Sequence, residues 1–276
     1  MTLRVLVTGA SSGIGQAIAA TLAEKGLTVF GTSRHAVDGA ITPFTMLPLD
    51  VRSDHSVRAC VGEVLERAGG IDVLVNNAGY ALTGAAEETS IEEAKEQFDT
   101  NFFGVVRVTN AVLPAMRRAG SGKIITLGSL VGLLGIPFAS FYSATKFAIE
   151  GYSEALWYEL RPFGISVSML EPGWVRTALT DAGRIPAHSL PVYEGPKQLA
   201  AASIRRYVAD GLDSHRVTDR VLEIIDDPSP RLRYPVGGDA TWLPRLKVVA
   251  PWSVLAAGVR KRFGQPNDAG RPELGR

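Results

Sequence analysis

Cysteine occurs once in this chain, at Cys60, and that scarcity excludes a disulfide framework. It also suits a reducing, cytoplasmic setting. The start of the chain agrees, because it enters a strand-like segment at once, without the charged and apolar regions of a secretory leader. Cys60 falls in a helical pattern from Ser53 to Ala68, where burial as a small apolar residue is expected rather than a reactive thiol. Charge of one sign is also missing: 29 Lys and Arg stand against 28 Asp and Glu, a net charge of +1. No basic stripe with interleaved aromatics crosses residues 1 to 177, so nucleic acid is not an expected partner. The four histidines, His35, His55, His188 and His215, lack ligand-like spacing and a partner cysteine, so no metal site is expected. Residues 124 to 141 are apolar but broken by glycine, serine and proline, which argues against a transmembrane helix. The acidic pairs Glu87-Glu88 and Glu92-Glu93 surround a helix start, and dipole stabilisation accounts for them. No internal repeat or low-complexity segment is evident.

What is present is ample apolar material. With 46% hydrophobic residues in 276, the chain can bury one large core as a single unit. Strand-like runs at Leu3 to Thr8, Thr28 to Thr32, Phe44 to Leu49, Ile71 to Val75, Lys123 to Leu127 and Ile165 to Leu170 alternate with helical patterns. That alternation predicts an α/β fold, a doubly wound parallel sheet covered on both faces, with ligands at the carboxyl ends of the strands. Gly9, Asp50, Asn77, Ser129 and Pro172 each fall just past one of those runs, so they are expected to converge.

Two local patterns carry chemistry. After the first strand, Gly9-Ala-Ser-Ser-Gly13-Ile-Gly15 opens a helical pattern. Glycines that let backbone approach closely, joined to a helix N-terminus, make a site for a pyrophosphate. Further on stands Tyr142-Ser-Ala-Thr-Lys146, thirteen residues after Ser129. In a helix the i,i+4 spacing puts the phenol and the ammonium on one face. A neighbouring cation is expected to lower the tyrosine's pKa from its ordinary value of about 10 and make it a proton carrier near neutral pH.

Thr8-Gly-Ala-Ser-Ser-Gly-Ile-Gly15, Asn76-Asn-Ala-Gly79, Asn101, Gly128-Ser129, Tyr142-Ser-Ala-Thr-Lys146 and Pro172-Gly173 stand in order across residues 1 to about 177. This set resembles the short-chain dehydrogenase/reductase family, and the overall layout looks most like its steroid and retinol branch. The resemblance implies a Rossmann-type domain that exchanges a hydride between a nicotinamide cofactor and a carbonyl or secondary alcohol. It implies a catalytic set of Asn101, Ser129, Tyr142 and Lys146. Ser129 would hold the carbonyl oxygen and Tyr142 would exchange the proton. Lys146 would tune the phenol and grip the nicotinamide ribose, and the main-chain carbonyl of Asn101, in a deformed helix, would hold a water of the proton relay. The cofactor would lie on Gly9, Ser11, Ser12, Gly13, Ile14 and Gly15, on Asn77, Ala78 and Gly79, and on Tyr142, Lys146, Pro172, Gly173, Val175 and Thr177. Asp50 resembles the family's adenine-binding aspartate, with Val51 beside it.

Cofactor choice turns on the end of the second strand, where NAD-binding folds carry an acidic residue for the ribose hydroxyls. Ser33-Arg34 occupies that place here. A guanidinium cannot accept from a ribose but can grip a 2′-phosphate, so NADP(H) is favoured over NAD(H). The apolar run Leu130 to Phe141 is expected to line the pocket or to pack beneath it. Residues 178 to 212, with Pro186, Pro191 and Pro196, are expected to form a substrate lid that becomes helical near Lys197; His188 and Tyr193 could reach the ligand from it. The expected dehydrogenase domain is 1 to 239, closed by a helix and an edge strand after Asp213. An extension follows from 240 to 276, and its basic, aromatic stretch Thr241 to Phe263 is expected over the pocket or a partner subunit rather than on a membrane surface. A hydrophobic alcohol or carbonyl substrate is expected, as is a homodimer or homotetramer through helices 91 to 119 and 143 to 162. The alternatives are a catalytically silent NADP(H)-sensing regulatory protein and a reductase of small polar carbonyls.

Overall fold

The structure is a computed structural model, and it describes residues 2–35, 42–176 and 183–265. Seven parallel strands form one sheet in the order β3-β2-β1-β4-β5-β6-β7. They are β1 (Arg4–Val7), β2 (Thr28–Ser33), β3 (Thr45–Pro48), β4 (Val73–Asn76), β5 (Gly122–Leu127), β6 (Ile165–Pro172) and β7 (Arg233–Val236). The six strands read from the sequence are all present within a residue or two at either end, and β7 is the edge strand expected after the last helix.

Alternation along each strand divides the core between the two faces of the sheet. Val5, Val7, Val73, Val75, Ile125 and Leu127 face one side, against α1 (Gly13–Glu24) and α7 (His215–Asp226). Leu6, Leu74 and Ile124 face the other, against α2 (Asp54–Ala68), α4 (Gly104–Ala119) and α5 (Ser140–Leu160). Because the sheet is covered on both faces, its central strands read as continuous apolar runs. Each fully buried leucine among them, such as Leu74, contributes about 1.5–3 kcal/mol by leaving water. Cys60 lies in this second layer, 2% exposed, and burial pushes its thiol up to about 12. It packs as a small hydrophobe.

Helix starts are set locally. Ser53 caps α2 by accepting from the Ser56 N–H at 3.2 Å. Ser90 and Glu93 form a reciprocal capping box at α3 (Ile91–Phe98). The single helix expected from Glu92 to Ala119 is interrupted: Asp99–Phe103 forms a π-turn in which the Gly104 N–H reaches the Asp99 carbonyl, and Asn101 sits inside it. Among the described residues, α6 spans Pro191–Ala209, α8 Gly238–Val249 and α9 Trp252–Arg262. The α6 helix begins earlier than expected, because Pro191 occupies its first turn, where a missing N–H costs nothing. Strand order reverses between β1 and β4, and this opens a crevice at their carboxyl ends.

Candidate active site

The crevice is floored by the loop from β1 to α1. Gly9 has φ +68, and a Cβ there would stand 2.9 Å from the Ala78 Cα. At Gly15 a Cβ would come within 2.3 Å of both the Asn77 Nδ2 and the Gly9 carbonyl. Only glycine allows these two loops to touch. Hydrogen bonds then fasten them: Asn77 Nδ2 donates to the carbonyls of Thr8 (3.0 Å) and Gly9 (2.9 Å), and Thr8 Oγ1 accepts from the N–H groups of Asn77 (2.9 Å) and Ala78 (3.0 Å). Thr8 thus fastens the two loops, a role that its place in the glycine motif does not announce. Ser11, Ser12 and Gly13 are exposed at the helix start, Ser12 places no side chain on the N–H groups of α1, and Gly13 faces open space. An uncapped helix N-terminus with room before it fits a dinucleotide pyrophosphate.

The catalytic candidates meet at the far side of β4 and β5. Tyr142 and Lys146 lie one turn apart on α5, the ammonium 5.9 Å from the phenol ring centre. Ser129, past the end of β5, is within hydrogen-bonding reach of the Tyr142 hydroxyl. Lys146 Nζ donates to the Leu127 carbonyl at 2.6 Å. The expectation of a lowered tyrosine pKa needs correction: burial pushes the phenol up to about 12, the Ser129 hydrogen bond opposing it only in part. The ammonium is turned toward Leu127, so enclosure by protein outweighs its field. The same enclosure lowers Lys146 to about 8, against the pull of Glu150.

Asn101 is 2% exposed, and its side chain ties down the loop after β4. Its Oδ1 accepts from the Tyr80 N–H at 3.0 Å, while Nδ2 donates to the Tyr80 carbonyl at 2.9 Å and to Thr145 Oγ1 at 3.3 Å. The side chain is therefore structural, and the π-turn is the deformation that the family resemblance implied.

At the other end of the crevice, Arg34 is exposed after β2 and Ser33 is half-buried, its Oγ accepting from the His35 N–H at 3.4 Å. Asp50 follows β3, but its carboxylate is gripped by Arg52 at 3.0 and 2.7 Å, which holds it below the usual carboxylate range. Val51 is buried against Gly104. No motif marks Arg52, which becomes visible as a site residue only in the folded chain.

A cavity of about 730 Å³ opens beside the catalytic candidates. Ile14, Asn77, Gly79 and Asn101 line one side of it, Ser129, Tyr142 and Lys146 another, and Pro172, Gly173 and Val175 a third. Gly9, Gly15, Ala78, Arg34 and Asp50 lie beyond its wall, and Thr177 falls outside the described residues. Much of the Leu130 to Phe141 run lines the cavity, including Leu134, Ile136 and Phe138. Among the described residues no group of His, Cys, Asp and Glu is arranged to hold a metal ion.

A family model described as short chain dehydrogenase matches residues 4–186. The chain belongs to that family. It is 36% identical to human retinol dehydrogenase 8 over 268 residues, covering 89% of this chain and 85% of the relative. It is 49% identical to a 3-ketodihydrosphingosine reductase of Bacteroides thetaiotaomicron over 177 residues, 64% of this chain and 65% of that one. A short-chain dehydrogenase from Streptomyces avermitilis superposes with a TM-score of 0.80 at 34% identity, covering 97% of this chain and all of the other. The protein is thus an oxidoreductase of the CH–OH class, and its chemistry runs on a nicotinamide cofactor.

In this short-chain dehydrogenase α6, α8 and α9 supply much of the remaining cavity wall. Trp174 stacks on Tyr207 of α6 at 5.4 Å, and Phe263 packs on both rings at 6.4 and 6.1 Å. The Tyr207 hydroxyl donates to the Arg262 carbonyl at 3.1 Å. Leu243, Leu246, Val254 and Leu255 add apolar wall, so the extension packs over the pocket. His188 and Tyr193 do not line the cavity; the Tyr193 hydroxyl donates to Glu87 at 2.7 Å instead.

The acidic pairs need a second correction. Glu88 is 2% exposed and fastens the start of α6. Its carboxylate accepts from the N–H groups of Ala85 (3.1 Å) and Leu190 (2.9 Å), from Ser189 Oγ (3.3 Å) and from Lys197 Nζ (2.9 Å). These donors, led by the Leu190 N–H, pull its pKa from 4.5 to about 2. Its stabilising effect is therefore complete above the ordinary carboxylate range and fades only as pH falls toward about 2. Glu93 likewise accepts from the Ala187 N–H at 2.8 Å, beyond its capping role. Glu88→Ala should loosen the start of α6 by about 2–3 kcal/mol, the usual loss when charged hydrogen bonds vanish. Hydrogen exchange should then quicken across residues 183 to 209 while the sheet stays protected; equal protection of α6 in both proteins would refute the tether.

Proposed function

We propose that this short-chain dehydrogenase uses NADP(H) to interconvert a carbonyl and a secondary alcohol on a hydrophobic, lipid-, retinoid- or steroid-like substrate. The observation that carries the reading is the Tyr142–Ser129 hydroxyl pair at the wall of a predominantly apolar cavity. When bound, the nicotinamide supplies or accepts the hydride. Ser129 orients the carbonyl oxygen by donating to it. Tyr142, kept protonated by burial, hands its proton to that oxygen as negative charge develops. Lys146 holds the ribose hydroxyls and keeps positive charge beside the phenol. The π-turn at Asn101 offers a main-chain carbonyl for the water that returns protons to Lys146. The α1 N-terminus with Gly9, Ser11, Ser12, Gly13, Ile14 and Gly15 receives the pyrophosphate, the Asn77-Ala78-Gly79 and Pro172-Gly173-Val175 loops flank the nicotinamide, and Thr177 belongs with them by its place in the motif. Ser33 and Arg34 take the 2′-phosphate, beside the Asp50-Val51 shelf for the adenine.

Support for a hydrophobic substrate comes from the cavity walls and from relatives whose names specify retinol and a sphingoid ketone. Support for NADP(H) comes from Arg34 and from a 26% identical Thermococcus sibiricus alcohol dehydrogenase solved with 5-hydroxy-NADP. A homodimer or homotetramer through helices 91 to 119 and 143 to 162 is favoured by the exposed Phe103, Phe147 and Tyr158 within those stretches. The test is NADPH consumption against long-chain ketones, retinal, steroids and sugar-like carbonyls. Long-chain or polycyclic carbonyls should give the highest kcat/KM. Preference for the sugar-like compounds would overturn the substrate class, and silence toward all of them with NADPH still bound would favour the regulatory alternative.

A further inference from the structure

The α8–α9 hairpin has an inner face that closes the cavity and an outer face that nothing in the described residues covers. Along its tip Val248 is 85% exposed, Val249 78% and Trp252 72%, with Trp242, Val254 and Leu246 also open to solvent. Single exposed apolar residues are ordinary, but six large ones within 13 residues form a patch of the kind that marks a contact surface. We propose that this tip seats the protein on a lipid bilayer bearing anionic headgroups.

Charge selects that occupant. Residues 240 to 263 contain Arg245, Lys247, Arg260, Lys261 and Arg262 and not one Asp or Glu. Arg262 is tied to Asp239 at 2.6 Å, and Lys247 Nζ donates to the Leu133 carbonyl at 2.7 Å, whereas Arg245 lies on the exposed Trp242 ring, 5.1 Å from its centre. Two copies meeting through this face would set those like charges against each other. An anionic headgroup layer pairs with them instead, while the apolar tip enters the acyl boundary. Residues 266 to 276 hold one large apolar side chain, Leu274, against four charged ones. Helices of 12 and 11 residues are too short to cross a bilayer, and no helix of the described residues is long and apolar enough to do so. The chain would therefore lie on the surface. Leu246 and Val254 belong both to the tip and to the cavity lining, so the mouth would open against the lipid. Only that access route rests on the proposed hydrophobic substrate; the docking does not.

The test is co-sedimentation of the full chain with vesicles of phosphatidylcholine alone and of phosphatidylcholine mixed with phosphatidylglycerol, at low and high salt and without substrate. Binding should require the anionic lipid and weaken with salt. Val249→Asp with Trp252→Asp should abolish it while the thermal midpoint and NADPH binding stay unchanged, since neither residue lines the cavity. Arg245→Gln with Lys261→Gln should weaken it about thirtyfold, at about 1 kcal/mol per basic residue near such a surface. The proposal is overturned if the native chain stays in the supernatant with both vesicles, if the Asp variant sediments as well as the native chain, or if that variant instead splits a dimer in light scattering.

Discussion

Tyr142→Phe is expected to lower turnover by at least about a hundredfold with NADP(H) affinity kept, because a positioned acid or base supplies 10² to 10⁴ of the rate. The variant retains the buried ring that α5 carries and loses only the hydroxyl that meets Ser129. The pH dependence should carry the same signature. With the phenol raised to about 12, its protonated form predominates through neutral pH and serves carbonyl reduction. Alcohol oxidation needs the phenolate, so its rate should climb about tenfold per pH unit across that range. The climb should bend as Lys146, near 8, loses its charge. Near-normal turnover in the Phe variant, or an oxidation rate flat with pH, would remove Tyr142 from the chemistry.

Arg34→Asp should reverse the cofactor preference. The guanidinium is exposed after β2, and among the described residues the carboxylate of Asp50, close enough to feel it, is engaged by Arg52. Losing a charged hydrogen bond costs about 1.5–3 kcal/mol, and an aspartate adds repulsion toward the phosphate while accepting from ribose hydroxyls. The ratio of kcat/KM for NADPH over NADH should fall by about a hundredfold or more. If the ratio is unmoved, the 2′-phosphate is read elsewhere or not at all.

The fold was legible because its signals are short-range and repeated. Short unbroken apolar runs rich in β-branched residues, such as Val5 to Val7 and Val73 to Val75, mark strands buried on both faces, and the glycines at 9 and 15 announce a loop that must touch another loop. The candidate site was legible where motifs end strands. What escaped depends on partners far along the chain. Glu88 looks like a helix-start acid until Leu190 and Lys197, about a hundred residues away, fold onto it. The phenol's pKa likewise depends on enclosure and on where the Lys146 ammonium points, and a four-residue spacing encodes neither. A third instance is the buried pair Glu150 and Glu171, which share Arg233 at 3.3 Å behind Lys146; burial raises both carboxyls. No motif joins those three positions.

The acid–base floor of the cavity comes from residues 101 to 146, whereas much of its ceiling comes from the last helix and the aromatic trio that Phe263 completes with Trp174 and Tyr207. Under the proposed function, recognition and reaction would therefore be carried by different stretches of one polypeptide. Evolution or an engineer can retarget such a catalyst by grafting a new terminal hairpin, leaving the proton-handling machinery as it stands.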